Sequence, residues 1–187
     1  MANDAVLTPL RWIGTAGLLD RCLFLDRDGV INERIVGGYV TAWSEFVWRD
    51  GTMNSLKHFV DTVPLQLVIV TNQRCVGRGL VSVQTVLEIQ ERMRVSLQAA
   101  GVPLAAWYCC PHRLEDGCLC RKPLPGMLEA CRRDLGVALE CSYLIGDSDS
   151  DVEAGNSVRC ATWRIDTPRQ FSEALGEVIV RERARKD

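Results

Sequence analysis

The sequence contains no apolar run long enough to cross a bilayer, which argues against a membrane-spanning helix. Its first twenty residues also lack the basic start and the uninterrupted apolar stretch of an export signal, so we expect a cytoplasmic protein. The sequence also has little excess of charge of either sign, with a formal net charge of -2. So small a charge gives no long-range attraction to nucleic acid, and we expect neither nucleic acid nor a membrane as a partner.

The chain of 187 residues is too short for two domains of typical size but long enough for one domain with a substantial hydrophobic core. Its 47% apolar and 25% charged fractions are ordinary for a globular protein, which excludes disorder and fibrous repeats. We predict an N-terminal extension over residues 1–20, followed by a single domain over residues 21–187. We expect this domain to be a monomer.

Short apolar runs alternate with longer amphipathic segments, which is the pattern of an α/β protein. The predicted strands cover residues 22–26, 65–71, 105–109, 142–146 and 160–165. The predicted helices cover residues 53–62, 83–100, 127–135, 149–156 and 171–183. This order predicts a central parallel sheet with helices on both faces, in which ligands bind at the carboxyl ends of the strands.

Charged and polar side chains lie just after the predicted strands or at the entry to a helix. They form the segments Asp26-Arg27-Asp28-Gly29, Thr71-Asn72-Gln73, Arg121-Lys122-Pro123 and Gly146 to Asp151. Each segment alone is explained by a turn, a helix cap or surface charge. In a parallel sheet, however, all four converge on one pocket, where crowded carboxylates need a cation to offset their repulsion. Oxygen ligands without a nearby histidine favour magnesium.

Nine cysteines, an odd number, in a chain without a visible export signal favour a reducing compartment. Four soft ligands lie close together at Cys110, His112, Cys118 and Cys120, with residues 113–117 as the connecting loop. Three thiolates and one imidazole match a closed tetrahedral zinc site. Because four protein ligands leave no open position for water, the zinc is predicted to be structural, and the loop that it holds leads directly to Lys122.

The four strand-end segments, in this order, resemble the motifs of the haloacid dehalogenase superfamily, and the resemblance extends from Arg21 onward. It implies a Rossmann-like three-layer core in which Asp26 is the nucleophile and Asp28 is the general acid and base. It also implies Mg²⁺ bound by the Asp26 carboxylate, the Asp28 backbone carbonyl and Asp147. A catalytic phosphatase site at the sheet edge is therefore expected.

The same resemblance assigns the side chains around the phosphate. Thr71 and Asn72 would bind the phosphoryl oxygens, and Lys122 would offset charge on the nucleophile and the transferring group. Asp151 has two interpretations of equal weight, because it could support the metal ligands from behind or be the first-turn acid of the following helix.

The zinc loop narrows the resemblance to a capless branch that contains the D-glycero-D-manno-heptose 1,7-bisphosphate 7-phosphatases and the histidinol-phosphate phosphatases. The segments Gly38-Tyr39-Val40, Gly77-Arg78-Gly79 and Cys120 to Met127 favour the heptose enzymes. The short loop between the two zinc-ligand pairs resembles the histidinol-phosphate enzymes instead. Arg74-Cys75 departs from the small Ser-Gly pair usual in the heptose enzymes.

The resemblance thus predicts magnesium-dependent hydrolysis of a small sugar phosphate, with heptose 1,7-bisphosphate favoured over histidinol phosphate. A substrate with two phosphates needs a second anionic contact, for which Arg121, Arg74 and Arg78 are candidates. A zinc-stabilised binding module without activity is another alternative, but the complete set of motif residues speaks against it. A mutase usually needs a cap to keep water out, and no segment is long enough to form one.

Overall fold

The computed structural model describes residues 8–15 and 19–185, which form a six-stranded sheet with helices on both faces. The strands are β1 (Leu10–Ile13), β2 (Cys22–Leu25), β3 (Gln66–Asn72), β4 (Leu104–Cys110), β5 (Tyr143–Gly146) and β6 (Ala161–Arg164). The helices are α1 (Thr52–Thr62), α2 (Arg74–Gly77), α3 (Val83–Ala99), α4 (Gly126–Leu135), α5 (Asp149–Ser157) and α6 (Pro168–Ala184). The strand order is β1-β4-β3-β2-β5-β6, and every pairing except that of β1 is parallel.

The apolar strands in the middle of the sheet are buried on both faces, as their sequences predict. In β2, Leu23 and Leu25 belong to the core beneath α1, α3 and α6, whereas Cys22 and Phe24 belong to the core beneath α4 and α5. Successive side chains of a strand point to opposite faces, so one short strand contributes to both cores. The three-layer α/β architecture predicted from the sequence is confirmed.

The predicted strands and helices agree with the structure to within a few residues. The largest difference is at α6, which begins at Pro168 rather than at Phe171. Thr167 caps this helix, because its hydroxyl accepts a hydrogen bond from the Gln170 backbone N–H at 3.2 Å and its own N–H donates to the Gln170 side chain at 3.0 Å. No helix of the described residues is both long and apolar enough to span a membrane.

The edge strand β1 was not predicted, and it lies within the segment interpreted as an N-terminal extension. It pairs antiparallel with β4, with Leu10 opposite Cys109 and Ile13 opposite Ala106. The Arg94 guanidinium lies 4.9 Å from the centre of the Trp12 ring, which ties the strand to α3. A four-residue strand carries too little periodicity to be recognised without its partner, and its pairing covers the open edge of β4.

Candidate active site

The carboxyl ends of the parallel strands place the predicted site residues at one edge of the sheet. A cavity of about 400 Å³ opens there. Its wall contains all of the predicted catalytic and substrate-binding residues together with the predicted magnesium ligands, namely Asp26, Asp28, Thr71, Asn72, Arg74, Arg78, Arg121, Lys122 and Asp147. The convergence expected from a parallel sheet is therefore present.

Lys122 is buried between two carboxylates at the base of this cavity. Its Nζ lies 2.9 Å from Asp26 Oδ1 and 2.5 Å from Asp151 Oδ1, and it donates to the Val70 carbonyl at 2.7 Å. The Lys122 charge is thus shared between two carboxylates, and one of its protons is donated to the backbone.

Three carboxylates, those of Asp26, Asp147 and Asp151, offer oxygen atoms that lie within 4.8 Å of one another. The pKa of Asp26 is raised to about 7: burial raises it most, the Lys122 charge lowers it, and the nearby Asp151 and Asp147 carboxylates raise it. The group is therefore short of positive charge. A hard divalent cation such as Mg²⁺ fits a group of negatively charged oxygen ligands.

Asp151 is the first-turn acid of α5, which is one of the two interpretations that the sequence left open. It is fully buried, and it accepts a hydrogen bond from the Ser148 backbone N–H at 3.1 Å, which caps α5. The same carboxylate pairs with Lys122 and lies beside Asp26. Asp151 is thus both the first-turn acid of α5 and a member of the carboxylate group.

Asp28 is held by a different set of contacts. The buried Arg27 guanidinium donates to both of its carboxylate oxygens at 2.9 Å, Asn32 donates at 2.9 Å, and Gln73 donates at 2.7 Å. Burial alone would raise the pKa of Asp28, but the Arg27 charge and these hydrogen bonds lower it on balance. Gln73 also donates to Thr71 Oγ1 at 2.9 Å, so this glutamine, to which the sequence assigned no role, orients two of the predicted catalytic side chains.

Asn72 lies in the cavity wall, but both ends of its amide contact the backbone of Lys122. Its Nδ2 donates to the Lys122 carbonyl at 3.0 Å, and its Oδ1 accepts from the Lys122 N–H at 3.1 Å. These bonds join the end of β3 to the loop before α4. In this arrangement the side chain positions Lys122, and its predicted role in binding substrate stays a prediction.

The zinc ligands predicted from sequence meet at the end of β4. The Cys110 Sγ lies 3.6 Å from the Cys118 Sγ and 3.6 Å from His112 Nδ1, which in turn lies 3.2 Å from the Cys120 Sγ. These separations suit the edges of a tetrahedron around one zinc ion, given metal–sulfur bonds of about 2.3 Å. The donor set therefore fits zinc.

The cysteine and histidine cluster is joined directly to the cavity. Cys120 is followed at once by Arg121 and Lys122, and the Cys110 carbonyl accepts a hydrogen bond from the Gln73 N–H at 2.7 Å. The loop that a zinc ion would hold thus supports both the lysine between the carboxylates and the glutamine that contacts Asp28.

Comparison with known proteins identifies the family. A model of the HAD-like hydrolases, the haloacid dehalogenase-like group, matches residues 119–174. The chain is 42% identical to a D-glycero-alpha-D-manno-heptose-1,7-bisphosphate 7-phosphatase of Mycobacterium bovis over 141 residues, which are 75% of this chain and 74% of that protein. The chain belongs to the haloacid dehalogenase-like phosphatases. The resemblance drawn from the ordered motifs is confirmed.

Two further comparisons agree with this family assignment. A D-glycero-beta-D-manno-heptose-1,7-bisphosphate 7-phosphatase of Helicobacter pylori is 36% identical over 137 residues, which are 73% of this chain and 77% of that protein. The crystal structure of D,D-heptose 1,7-bisphosphate phosphatase from B. bronchiseptica, complexed with magnesium and phosphate, is similar with a TM-score of 0.74. That match has 31% identity and covers 85% of this chain and 87% of the other.

Two residues of the phosphatase cavity, Arg34 and Tyr39, had no predicted role. Arg34 Nη1 lies 3.0 Å from Asp147 Oδ2, and the Tyr39 hydroxyl accepts a hydrogen bond from Arg74 Nε at 3.1 Å. Both lie in the long loop after β2, where no apolar periodicity places a side chain. The sequence analysis used one segment of this loop, Gly38-Tyr39-Val40, as a feature shared with the heptose enzymes and assigned its side chains no role in the site.

Replacing Gly29 by alanine should disturb the group of three carboxylates formed by Asp26, Asp147 and Asp151. Gly29 has a φ of +90°, and a Cβ there would lie 2.2 Å from Asp147 Oδ2. The Asp147 side chain would therefore have to move. We expect Gly29→Ala to weaken Mg²⁺ binding measured by calorimetry and to lower kcat/KM by about a hundredfold. Gly136→Ala is the matched control, because Gly136 also has a positive φ but no atom near its Cβ position. Equal effects of the two changes would contradict this account.

Replacing Cys118 by serine should remove the metal from the loop and lower activity indirectly. Elemental analysis of the wild-type protein should give about one zinc ion per chain, and Cys118→Ser should contain much less, with a lower melting temperature and a lower kcat. Cys141→Ser, outside the cluster, should retain zinc and activity. Full activity of zinc-free Cys118→Ser would show that the loop does not need the metal to position Lys122.

Proposed function

We propose that the chain is a magnesium-dependent phosphatase that removes the C7 phosphate of D-glycero-D-manno-heptose 1,7-bisphosphate through a phosphoryl intermediate on Asp26. The observation that carries the chemistry is the convergence of the Asp26, Asp147 and Asp151 carboxylates beside Lys122 at the ends of parallel strands. The substrate proposal rests on the relatives named for this bisphosphate, at 42% and 36% identity.

In the first step, a carboxylate oxygen of Asp26 attacks phosphorus in line with the departing sugar oxygen. The bond from phosphorus to that oxygen breaks as Asp28 donates a proton to it. Thr71 is suited to donate its hydroxyl proton to a phosphoryl oxygen, because its own oxygen already accepts from Gln73. Lys122 offsets negative charge on Asp26 and on the transferring group.

In the second step, Asp28 takes a proton from a water molecule, and the water oxygen attacks phosphorus. The bond between phosphorus and Asp26 breaks, which restores the carboxylate and releases inorganic phosphate. Arg27, Asn32 and Gln73 hold Asp28 in one orientation throughout, so the same carboxyl group serves both steps.

The metals have separate roles in this proposal. The Asp26 and Asp147 carboxylates and the Asp28 backbone carbonyl would hold Mg²⁺, which when bound offsets the repulsion between nucleophile and phosphate. The raised pKa of Asp26, caused first by burial and then increased by neighbouring carboxylates, supports a cation at this position. Four protein ligands leave the zinc no open position, which supports a structural role for it.

The α anomer is the proposed form of the substrate. Three mycobacterial enzymes named for the α anomer are 41% to 42% identical to this chain. Five enzymes named for the β anomer are 33% to 36% identical.

Replacing Asp26 by asparagine should abolish phosphate release. With Mg²⁺ and the bisphosphate, Asp26→Asn should lose about 10⁴-fold or more in kcat, and Asp28→Asn about 10²-fold to 10⁴-fold, because one removes the nucleophile and the other the proton donor. Asp149→Asn, at an exposed carboxylate outside the cavity, should remain active. Histidinol phosphate, assayed in parallel, should react more slowly, and a preference for it would replace the proposed substrate.

The two anomers of heptose 1,7-bisphosphate should be distinguished by the wild-type enzyme. We expect a higher kcat/KM for the α anomer, by about tenfold. The rates should be measured by ³¹P NMR, which follows loss of the C7 phosphate from each anomer in one mixture. A preference for the β anomer would contradict this part of the proposal and leave the phosphatase activity in place.

A further inference from the structure

Arg49 is a buried arginine to which the sequence assigned no role. It lies in the segment before α1 and is only 8% exposed. Across residues 8–15 and 19–185, its guanidinium forms no ion pair with a carboxylate, and its buried Nε has no hydrogen-bond partner. Burying a charge without a charged partner lowers stability. Packing alone therefore does not explain an arginine at this position.

The hydrogen bonds of the Arg49 guanidinium go to two backbone carbonyls. Its Nη1 donates to the Gly29 carbonyl, and its Nη2 donates to the Asp166 carbonyl. Gly29 directly follows Asp28 in the loop after β2, whereas Asp166 lies in the loop between β6 and α6. The planar fork of a guanidinium holds its acceptors in a fixed relative position. One side chain therefore joins two loops that are far apart in the sequence.

The first of these loops contains two predicted magnesium ligands, the carboxylate of Asp26 and the backbone carbonyl of Asp28. The Asp28 carbonyl belongs to the same planar peptide group as the Gly29 N–H. This N–H donates to the Asn32 carbonyl at 2.7 Å, and the carbonyl of Gly29 accepts from Arg49. The direction of the Asp28 carbonyl is therefore set by hydrogen bonds on both sides of Gly29.

The next two carbonyls after Gly29 are held from the same segment. The Val30 carbonyl accepts from Thr52 Oγ1 at 3.3 Å, and the Ile31 carbonyl accepts from the Arg49 N–H at 3.0 Å. Of these three bonds, the one from the guanidinium to Gly29 is made by a charged group. Charge-assisted hydrogen bonds are roughly twice as strong as neutral ones, so we expect this bond to contribute most to fixing the turn.

The second loop leads to the remaining predicted magnesium ligand, Asp147. The Ile165 N–H in this loop donates to the Gly146 carbonyl at 2.9 Å, and Gly146 directly precedes Asp147. Gly29 in turn packs against the Asp147 side chain, since a Cβ at Gly29 would lie 2.2 Å from Asp147 Oδ2. A ring of contacts thus connects the two ligand segments through the guanidinium.

We propose that Arg49 is a positioning residue for the phosphatase reaction, and that it holds the Asp28 carbonyl and the Asp147 carboxylate in the relative position that Mg²⁺ requires. This inference rests on the proposed function, because it concerns the ligands of the catalytic metal. Mg²⁺ demands nearly ideal octahedral geometry, so displacement of one oxygen ligand weakens its binding. Arg49 does not line the reaction cavity, and it acts through the two loops rather than on the substrate.

The test separates positioning from stability by replacing Arg49 with methionine, an apolar residue of similar length. The melting temperature of Arg49→Met should stay within about 5 °C of wild type, because removal of the buried charge offsets the lost hydrogen bonds. Its dissociation constant for Mg²⁺, measured by calorimetry without substrate, should nevertheless rise by about tenfold. At saturating Mg²⁺, kcat should fall by about tenfold, with KM for the bisphosphate nearly unchanged.

Two further variants complete the comparison. Arg49→Lys keeps the charge but lacks the planar fork, so it should recover only part of the Mg²⁺ affinity. Arg21→Met is the matched control, since Arg21 lies at the opposite end of β2 and pairs with the buried Glu182 at 2.7 Å. It should lower the melting temperature, because Glu182 loses this partner, and leave Mg²⁺ binding and kcat unchanged.

Wild-type Mg²⁺ affinity and kcat in Arg49→Met, or full recovery in Arg49→Lys, would overturn the role of Arg49. An equal loss of Mg²⁺ affinity in Arg21→Met would also overturn it, because lowered stability would then be sufficient. If Arg49→Met does not fold, Arg49→Lys decides alone, by an intermediate or a wild-type affinity. These results would leave the proposed phosphatase function in place, whereas wild-type protein that neither binds Mg²⁺ nor releases phosphate would overturn both.

Discussion

The buried ion pairs of Lys122 are the interactions on which the site depends. Asp26 and Asp151 lie together at largely buried positions, and one ammonium group contacts both of them, which offsets their mutual repulsion. Removing that charge would leave two carboxylates to repel each other beside Asp147. Three clustered carboxylates beside one ammonium group are the physical reason to expect a divalent cation at the same place.

Lys122 is itself held from two directions. Asn72 forms hydrogen bonds with both the N–H and the carbonyl of its backbone, and Cys120, a candidate zinc ligand, lies two residues earlier in the chain. The end of β3 and the zinc loop therefore meet at one lysine. In this arrangement a zinc ion held by the loop would be coupled to catalysis without touching the substrate, because the loop sets the position of a buried charge.

Much of this site could be predicted because buried parallel strands leave a recognisable pattern in the sequence. The apolar runs that lead to Asp26, Thr71 and Asp147 predict buried strands, and the carboxyl ends of parallel strands lie at the same edge of the sheet. The roles of Gln73 and Arg34 could not be predicted in the same way, since a single amide or a loop arginine acquires its function from contacts that no periodicity encodes. Strand β1 was not predicted for a related reason, because its conformation depends on pairing with β4 rather than on the pattern of its own four residues.

The measurement that tests the account most directly is to find the phosphoryl group on the protein. Wild-type enzyme turning over heptose 1,7-bisphosphate with Mg²⁺ would be quenched in acid within milliseconds, and its peptides analysed by mass spectrometry. The account predicts a phosphorylated peptide with the group on Asp26, absent when substrate is omitted. Turnover with no protein-bound phosphate, or with the phosphate on another residue, would contradict it.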